Sequence, residues 1–199
     1  YVVYVGTILE LDVTSGRTVK EFKLPKESNF GWLSVRGNYL VTTTSPVAIK
    51  LPDREEKPAA ISSLAEVNSR FASGSHKLAV FDRATGKLLW TRDAQFNFRH
   101  NNIALGADSV FVIDSLTEAR LKALNRRGLK LKGKPALYSL NIRTGDVLWE
   151  TNENVFGTFL NYSTEHDLLL QAGSAYRDRA KDDIGQGMVA YRGQDGSIL

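Results

Sequence analysis

One phrase of nine residues occurs twice in this chain, as DRATGKLLW from Asp82 to Trp90 and as NIRTGDVLW from Asn141 to Trp149. Its turn recurs as Asp12-Val-Thr-Ser-Gly16 and, in degenerate form, as Arg192-Gly-Gln-Asp-Gly196. A unit this short cannot bury both of its own faces, so its copies must stack and the architecture becomes an array. The four turn glycines lie 70, 59 and 51 residues apart. Setting aside three charged, loop-like stretches, 45–76, 116–135 and 174–186, brings every spacing to 38 or 39. That hidden period matches the roughly 40 residues of a four-stranded propeller blade.

Each unit reads alike. Lys77-Leu-Ala-Val-Phe81 and Ala136-Leu-Tyr-Ser-Leu140 are strand-like with apolar residues on both faces, so both faces need cover. In the D/N-x-x-T-G that follows, the Asp82 or Asn141 side chain can accept a hydrogen bond from the backbone two residues on. Gly86 or Gly145 then takes the positive φ that the turn requires. Trp90 and Trp149, four residues past each glycine, fall at one fixed depth in the return strand, where the ring can wedge against the next sheet. Burying an indole there contributes up to about 4–6 kcal/mol. Asp82, Thr85, Gly86 and Trp90, with Asn141, Thr144, Gly145 and Trp149, are therefore the expected structural docking residues.

The predicted fold class is all-β, a β-propeller of four-stranded antiparallel blades with a short helical insertion near 116–127. About four blades are covered: part of blade one at 1–24, blade two at 33–91 around the insertion 45–76, blade three at 103–150 around 116–135, and part of blade four at 159–199 around 174–186. The opening YVVYVG reads as a strand and not as a basic-then-apolar leader, so the 199 residues are expected to be a piece of a longer chain.

The pattern [A/S]-x-[D/N]-x-x-T-G-x-x-x-W, complete from Ser139 to Trp149 and with Val80 at its first position from Val80 to Trp90, resembles the tryptophan-docking repeat of the quinoprotein-like (PQQ-type) β-propellers. That family includes pyrroloquinoline-quinone dehydrogenases and the outer-membrane assembly lipoprotein, which keeps the propeller without the cofactor. The resemblance implies a ring of seven or eight blades, of which this chain is about half, and favours a periplasmic or exported protein. The first unit departs from the pattern with Lys20 in the Trp position, and the fourth with Arg192 and Asp195 in place of the acid and Thr. Docking at those two seams is expected to be weaker.

Charge is concentrated. The net charge is +4, but Glu118 to Lys134 holds seven Lys or Arg against one Glu, a local +6, which leaves the rest near −2. One basic segment on a nearly neutral body does not describe a nucleic-acid surface. Zero cysteines exclude disulfides, Cys-zinc sites and thiol nucleophiles. There is no apolar run long enough to span a membrane as a helix.

All three insertions fall between the second and third strands of a blade, which puts them on one face, with the Thr-Gly hairpins on the other. Elaborated loops on a rigid scaffold are where binding residues concentrate. Segments entering each innermost strand reach this face near the axis, and they supply the candidate ligand-binding residues Trp32, Arg99, His100, Asn101, Asn102, Thr158 and Asn161. Without a ligand, the same segments read as exposed loop for Arg99 and His100 and as core for Trp32 and Phe159. The basic insertion, with Arg120, Lys122, Arg126 and Arg127, fits a helix opened by a Ser115–Glu118 capping box and stopped at Gly128. It is read either as a solvated helix lying on the propeller face or as a dock for an acidic partner or polyanion.

Catalytic readings are poorer. His76, His100 and His166 lack metal-ligand spacing, and neither a nucleophile elbow nor a phosphate loop is present. Asn101, Asn102 and Asp114 are chemically possible calcium ligands in the wrong motif context. The expected function is a non-catalytic binding module of a larger, exported protein, with no cofactor, which recognises a protein or small ligand on the loop-rich face. Its other partners are the remaining blades of the same chain. The alternative is a fragment of a quinone-dependent dehydrogenase that uses PQQ with calcium and has its catalytic residues in other blades.

Overall fold

The computed structural model describes residues 1–26, 29–46, 74–116, 125–126, 128, 133–156, 159–173 and 187–199. Among the described residues the chain forms thirteen strands in three antiparallel sheets. The first sheet holds β1 (Val2–Tyr4), β2 (Thr7–Leu11) and β3 (Thr18–Phe22). The second holds β4 (Phe30–Arg36), β5 (Tyr39–Pro46), β6 (Gly74–Asp82), β7 (Leu88–Leu105), β8 (Ser109–Asp114), β9 (Ala136–Asn141) and β10 (Val147–Thr151), hydrogen-bonded in chain order. The third holds β11 (Phe159–Ser163), β12 (Leu168–Ala172) and β13 (Met188–Arg192). Ile198 bridges back to Tyr191 beyond the last turn.

The seven-stranded sheet is two blades joined through one strand. β7 is the outer strand of one four-stranded unit in its first half and the inner strand of the next in its second half. Residues 92–102, expected to be loop between blades two and three, are instead strand. The chain passes from blade to blade without leaving extended structure, although its pairing is broken twice. Lys77 pairs with Asp93 and Ser75 with Phe98, so residues 94–97 bulge out of register, and a second shift separates Phe98 from Ile103. The insertion expected at 45–76 is shorter than read, since β5 runs to Pro46 and β6 starts at Gly74.

Side-chain alternation explains why every sheet is apolar on both faces. Leu40, Ala79 and Phe81 join Ile8 and Phe22 in one core between the first sheet and blade two. Their strand neighbours Val41, Leu78 and Val80 point the other way, into a second core with Val110, Val112 and Leu140. Phe111, Ile113 and Leu137 repeat the switch, meeting Leu160, Leu169 and Tyr191 in a third. Each seam between stacked sheets thus has its own core.

The repeated phrase builds four hairpins of one geometry. The amide of each turn glycine donates to the carbonyl four residues earlier, at 2.8 Å in all four: Gly16 to Asp12, Gly86 to Asp82, Gly145 to Asn141 and Gly196 to Arg192. The φ values of these glycines, +69°, +74°, +80° and +74°, lie in the left-handed region. Asp82 Oδ1 accepts from the Thr85 amide at 2.7 Å and hydroxyl at 2.8 Å, and Asp12 does the same for Ser15. In the degenerate fourth turn the acid has moved, and Asp195 accepts from the Ser197 amide and hydroxyl.

The tryptophans dock on the hairpin of the following unit. Trp90 Nε1 donates to the Ile142 carbonyl at 2.9 Å, and its ring lies over Gly145, where a Cβ would come within 2.7 Å of Cδ2. Trp149 repeats this on the fourth unit, donating to the Gly193 carbonyl at 2.7 Å with its ring over Gly196. At the first seam Lys20 takes the same seat. Its ammonium donates to the Arg83 and Ala84 carbonyls at 2.6 and 2.7 Å, and its aliphatic stem lies beside Gly86. Both seams expected to dock weakly therefore make the same kind of contact, because the accepting group is a backbone carbonyl that any cationic or indole donor can reach. The peptide N–H of the same turn residue is also used: Arg83, Ile142 and Gly193 donate to the Asn38, Asp108 and Asp167 carbonyls in the inner turn of their own blade. One residue per unit therefore ties its blade internally and to the blade before it.

Candidate functional site

Strand polarity sorts the connections onto two faces. Inner turns such as Gly37–Asn38 and all the docking hairpins lie on one. On the other lie the ends of β5, β8 and β12 and the starts of β6, β9 and β13, together with the bulge of β7. The candidate site sits on this second face, where the ends of β4, β5 and β6 meet the middle of β7.

Its centre is His100. Nε2 lies 3.0 Å from Ser75 Oγ and 3.2 Å from Thr43 Oγ1, and Ser75 Oγ donates to Thr43 Oγ1 at 3.2 Å. Thr43 Oγ1 also accepts the Trp32 amide at 3.0 Å. That amide is available because β4 shifts register between Phe30 and Leu33, which takes Trp32 out of ordinary ladder pairing. The imidazole packs on Gly31, where a Cβ would lie 2.8 Å from Cε1 and Nε2, so only glycine leaves room for the ring.

A second polar element supports the bulge. Asp114, at the end of β8, accepts the amides of Gln95 at 2.6 Å, Phe96 at 2.8 Å and Asn97 at 2.8 Å. Three consecutive donors left unpaired by the bulge thus converge on one carboxylate that is only 3% exposed. Asp114, by residue type a chemically possible calcium ligand in the wrong motif context, has both of its oxygens engaged by backbone amides. Among the described residues no group of three or more His, Cys, Asp or Glu is placed to hold a metal.

The other candidates fall as follows. Arg99 is buried at 2% exposure and lies inside β7, so its reading as exposed loop is corrected. His100 and Asn101 are half-buried and Asn102 fully buried. Asn101 Nδ2 and Thr44 Oγ1 are covered and have no hydrogen-bond partner among the described residues. Trp32 packs against the core between blades two and three. Asn161 is exposed on β11, and Thr158 lies outside the described residues. In the basic insertion Arg120, Lys122 and Arg127 also lie outside them, as does most of the expected helix. Asn125 and Arg126 are helical, and Leu116 is buried. Thr43 and Ser75, missed from sequence, left one signal: a run of three threonines, Thr42 to Thr44, that follows the apolar start of β5.

Burial pushes the His100 imidazole below its ordinary value of 6.5. The unfolded chain therefore binds the proton more tightly than the folded one, and stability is full above about pH 7 and falls as pH drops below 6.5. The Asp82 carboxyl is held below 3.8 by the Thr85 amide and hydroxyl, and Asp12 and Asp195 by their own turn donors, so their contributions are lost only below about pH 4. The two windows are separate. Melting temperature measured from pH 7.5 to 5 is expected to decline for the natural chain, and His100→Gln is expected to flatten that decline.

No protein-family model matches this chain, and no curated protein matches it in sequence. Its fold, however, is shared. BamB from Moraxella catarrhalis superposes with a TM-score of 0.50 at 14% identity, over 92% of this chain and 40% of that one. The Neurospora crassa Pan2 WD40 domain superposes with a TM-score of 0.53 at 10% identity, over 97% of this chain and 46% of that one. At such identities the likeness shows the fold alone, a β-propeller. The chain spans less than half the length of either neighbour. No helix among the described residues is long and apolar enough to cross a membrane.

Proposed function

We propose that the chain is part of a non-catalytic, PQQ-like propeller in a larger, exported protein, and that it holds a protein partner on its loop-rich face. One observation supports this most: the polar groups at the centre of that face are largely engaged with one another. Thr43, Ser75 and His100 share hydrogen bonds, and Asp114 is committed to backbone. A small substrate would find few accessible groups there, since Asn101 Nδ2 and Thr44 Oγ1, which lack partners among the described residues, are covered. Recognition then falls to the long segments 47–73, 115–135 and 173–187, which join strand ends of this face, and long connections of this kind suit another protein better than a small ligand. The basic residues Lys130, Lys132 and Lys134 within the second segment favour an acidic contact surface on that partner.

Lysine-directed cross-linking of the full-length protein in its native cell tests this. Cross-links to other proteins are expected at Lys130, Lys132 and Lys134, and not at Lys87 on the opposite face. An even distribution contradicts the proposed face. Uptake of PQQ and calcium by the purified full-length protein, with dye reduction driven by an alcohol or sugar, contradicts the non-catalytic reading.

A further inference from the structure

We infer that Thr43, Asp114 and Gln171 are positioning residues of the loop-rich face, each clasping the entry of its own blade's innermost strand to the strand end from which that blade's long connection departs. All three lie in the later part of a second strand, β5, β8 or β12, and are buried at 0%, 3% and 0% exposure. Each accepts backbone N–H groups from the chain entering its own blade. Thr43 Oγ1 takes the Trp32 amide, and Asp114 takes those of Gln95, Phe96 and Asn97. Gln171 completes the set. Its Oε1 accepts the Phe156 amide at 2.9 Å, while Nε2 donates to the Asn154 carbonyl at 2.8 Å and to Tyr191 Oη at 3.2 Å. A hydroxyl, a carboxylate and a carboxamide have no motif in common; they share an acceptor oxygen at one place in the fold.

The need is the same in each blade. Chain arriving from the preceding blade leaves regular pairing: β4 shifts register between Phe30 and Leu33, residues 94–97 bulge from β7, and Asn154 takes a φ of +54° ahead of β11. Its amides lose ladder partners, and burying them unpaired is costly. The neighbouring second strand supplies the acceptor. That strand has no tight turn to fix its own end, because β5, β8 and β12 lead into the connections 47–73, 115–135 and 173–187. Blade one differs on this point. There β1 passes to β2 through Val5 and Gly6 alone, and β1 ends in Val3 and Tyr4, both exposed and neither a buried acceptor. The clasp therefore accompanies the long connections. A partner held by one connection, as proposed above, bears on a strand end tied to the entry of that same blade, so each sector of the face is held separately. Of the three, only Thr43 has a bond to the next blade among the described residues, through His100 Nε2 at 3.2 Å.

Site-resolved hydrogen exchange of the full-length protein tests the clasps. Gln171→Met keeps the length of the side chain and removes both polar atoms. It is expected to speed exchange of the Phe156 amide by about tenfold or more, and to leave Trp32, Gln95, Phe96 and Asn97 within about twofold of the natural chain. Thr43→Val is expected to do the converse, speeding Trp32 and sparing Phe156, and Thr43→Ser, which returns the hydroxyl, is expected to restore Trp32. Faster exchange at all these amides in either variant, unchanged exchange at the clasped amide, or failure of Thr43→Ser to restore Trp32 overturns the inference. The binding role rests on the reading of this face given above, whereas the exchange pattern does not depend on any partner, so the two fail separately.

Discussion

Asp114→Ala is expected to destabilise the chain by about 3–5 kcal/mol, read from the midpoint of urea unfolding. The magnitude follows from what the carboxylate faces. The amides of Gln95, Phe96 and Asn97 all donate to it, and two of the three bonds are fully buried. Removing the acceptor leaves a row of donors away from water at about 1–3 kcal/mol each, reduced where water can reach the Gln95 end. These residues form the bulge through which β7 turns from one blade into the next, so the loss falls on the joint and not on either blade. Asp114→Asn keeps one acceptor oxygen but turns an NH2 toward the remaining donors. It is expected to cost about half as much. A change of less than about 1 kcal/mol in the Ala variant would show that the bulge does not depend on this carboxylate.

Gly145→Ala is expected to cost about 3 kcal/mol in the same assay. Part of this is backbone, since φ is +80° and an L side chain there costs about 1–2 kcal/mol. The remainder is the docked ring, because the new methyl would lie 2.7 Å from Trp90 Cδ2 and 3.0 Å from Cγ and Cε3. Trp90 must lift, which loses its packing and its bond to the Ile142 carbonyl. Gly16→Ala in the 199-residue chain separates the two contributions. Its φ of +69° carries the same strain with nothing within 4 Å, so about 1 kcal/mol is expected.

Much of the scaffold was legible because its information is local and repeated. D-x-x-T-G states a turn by chemistry that needs no tertiary context: an Asp or Asn that caps its own loop and a glycine with positive φ. The alternation in Leu78 to Phe81 likewise states a sheet covered on both sides. The site was less legible for two reasons. FRHNN looked like loop because five residues of mixed polarity follow a strand. Its burial depends on Gly31, Thr43 and Ser75, which come from distant stretches of sequence. Asp114 stood only as a chemically possible calcium ligand in the wrong motif context, and its role in the bulge was not foreseen. Its partners exist only because residues 94–97 leave the ladder, a register shift that no periodicity records. Lys20 shows the same limit at a docking position. By residue type it broke the pattern, but by geometry its amine reaches the carbonyl that an indole N–H reaches in the next two seams.

The central claim is that the side chain four residues past Gly16, Gly86 and Gly145 locks its sheet onto the next hairpin. A double-mutant cycle between Trp90→Ala and Gly145→Ala measures this directly, with Trp90→Ala and Gly196→Ala as the unconnected pair. With the ring removed, the methyl at Gly145 has nothing to displace, and a coupling of about 1.5–2 kcal/mol is expected, against additivity for the unconnected pair. Additive losses for Trp90 and Gly145 would contradict the account.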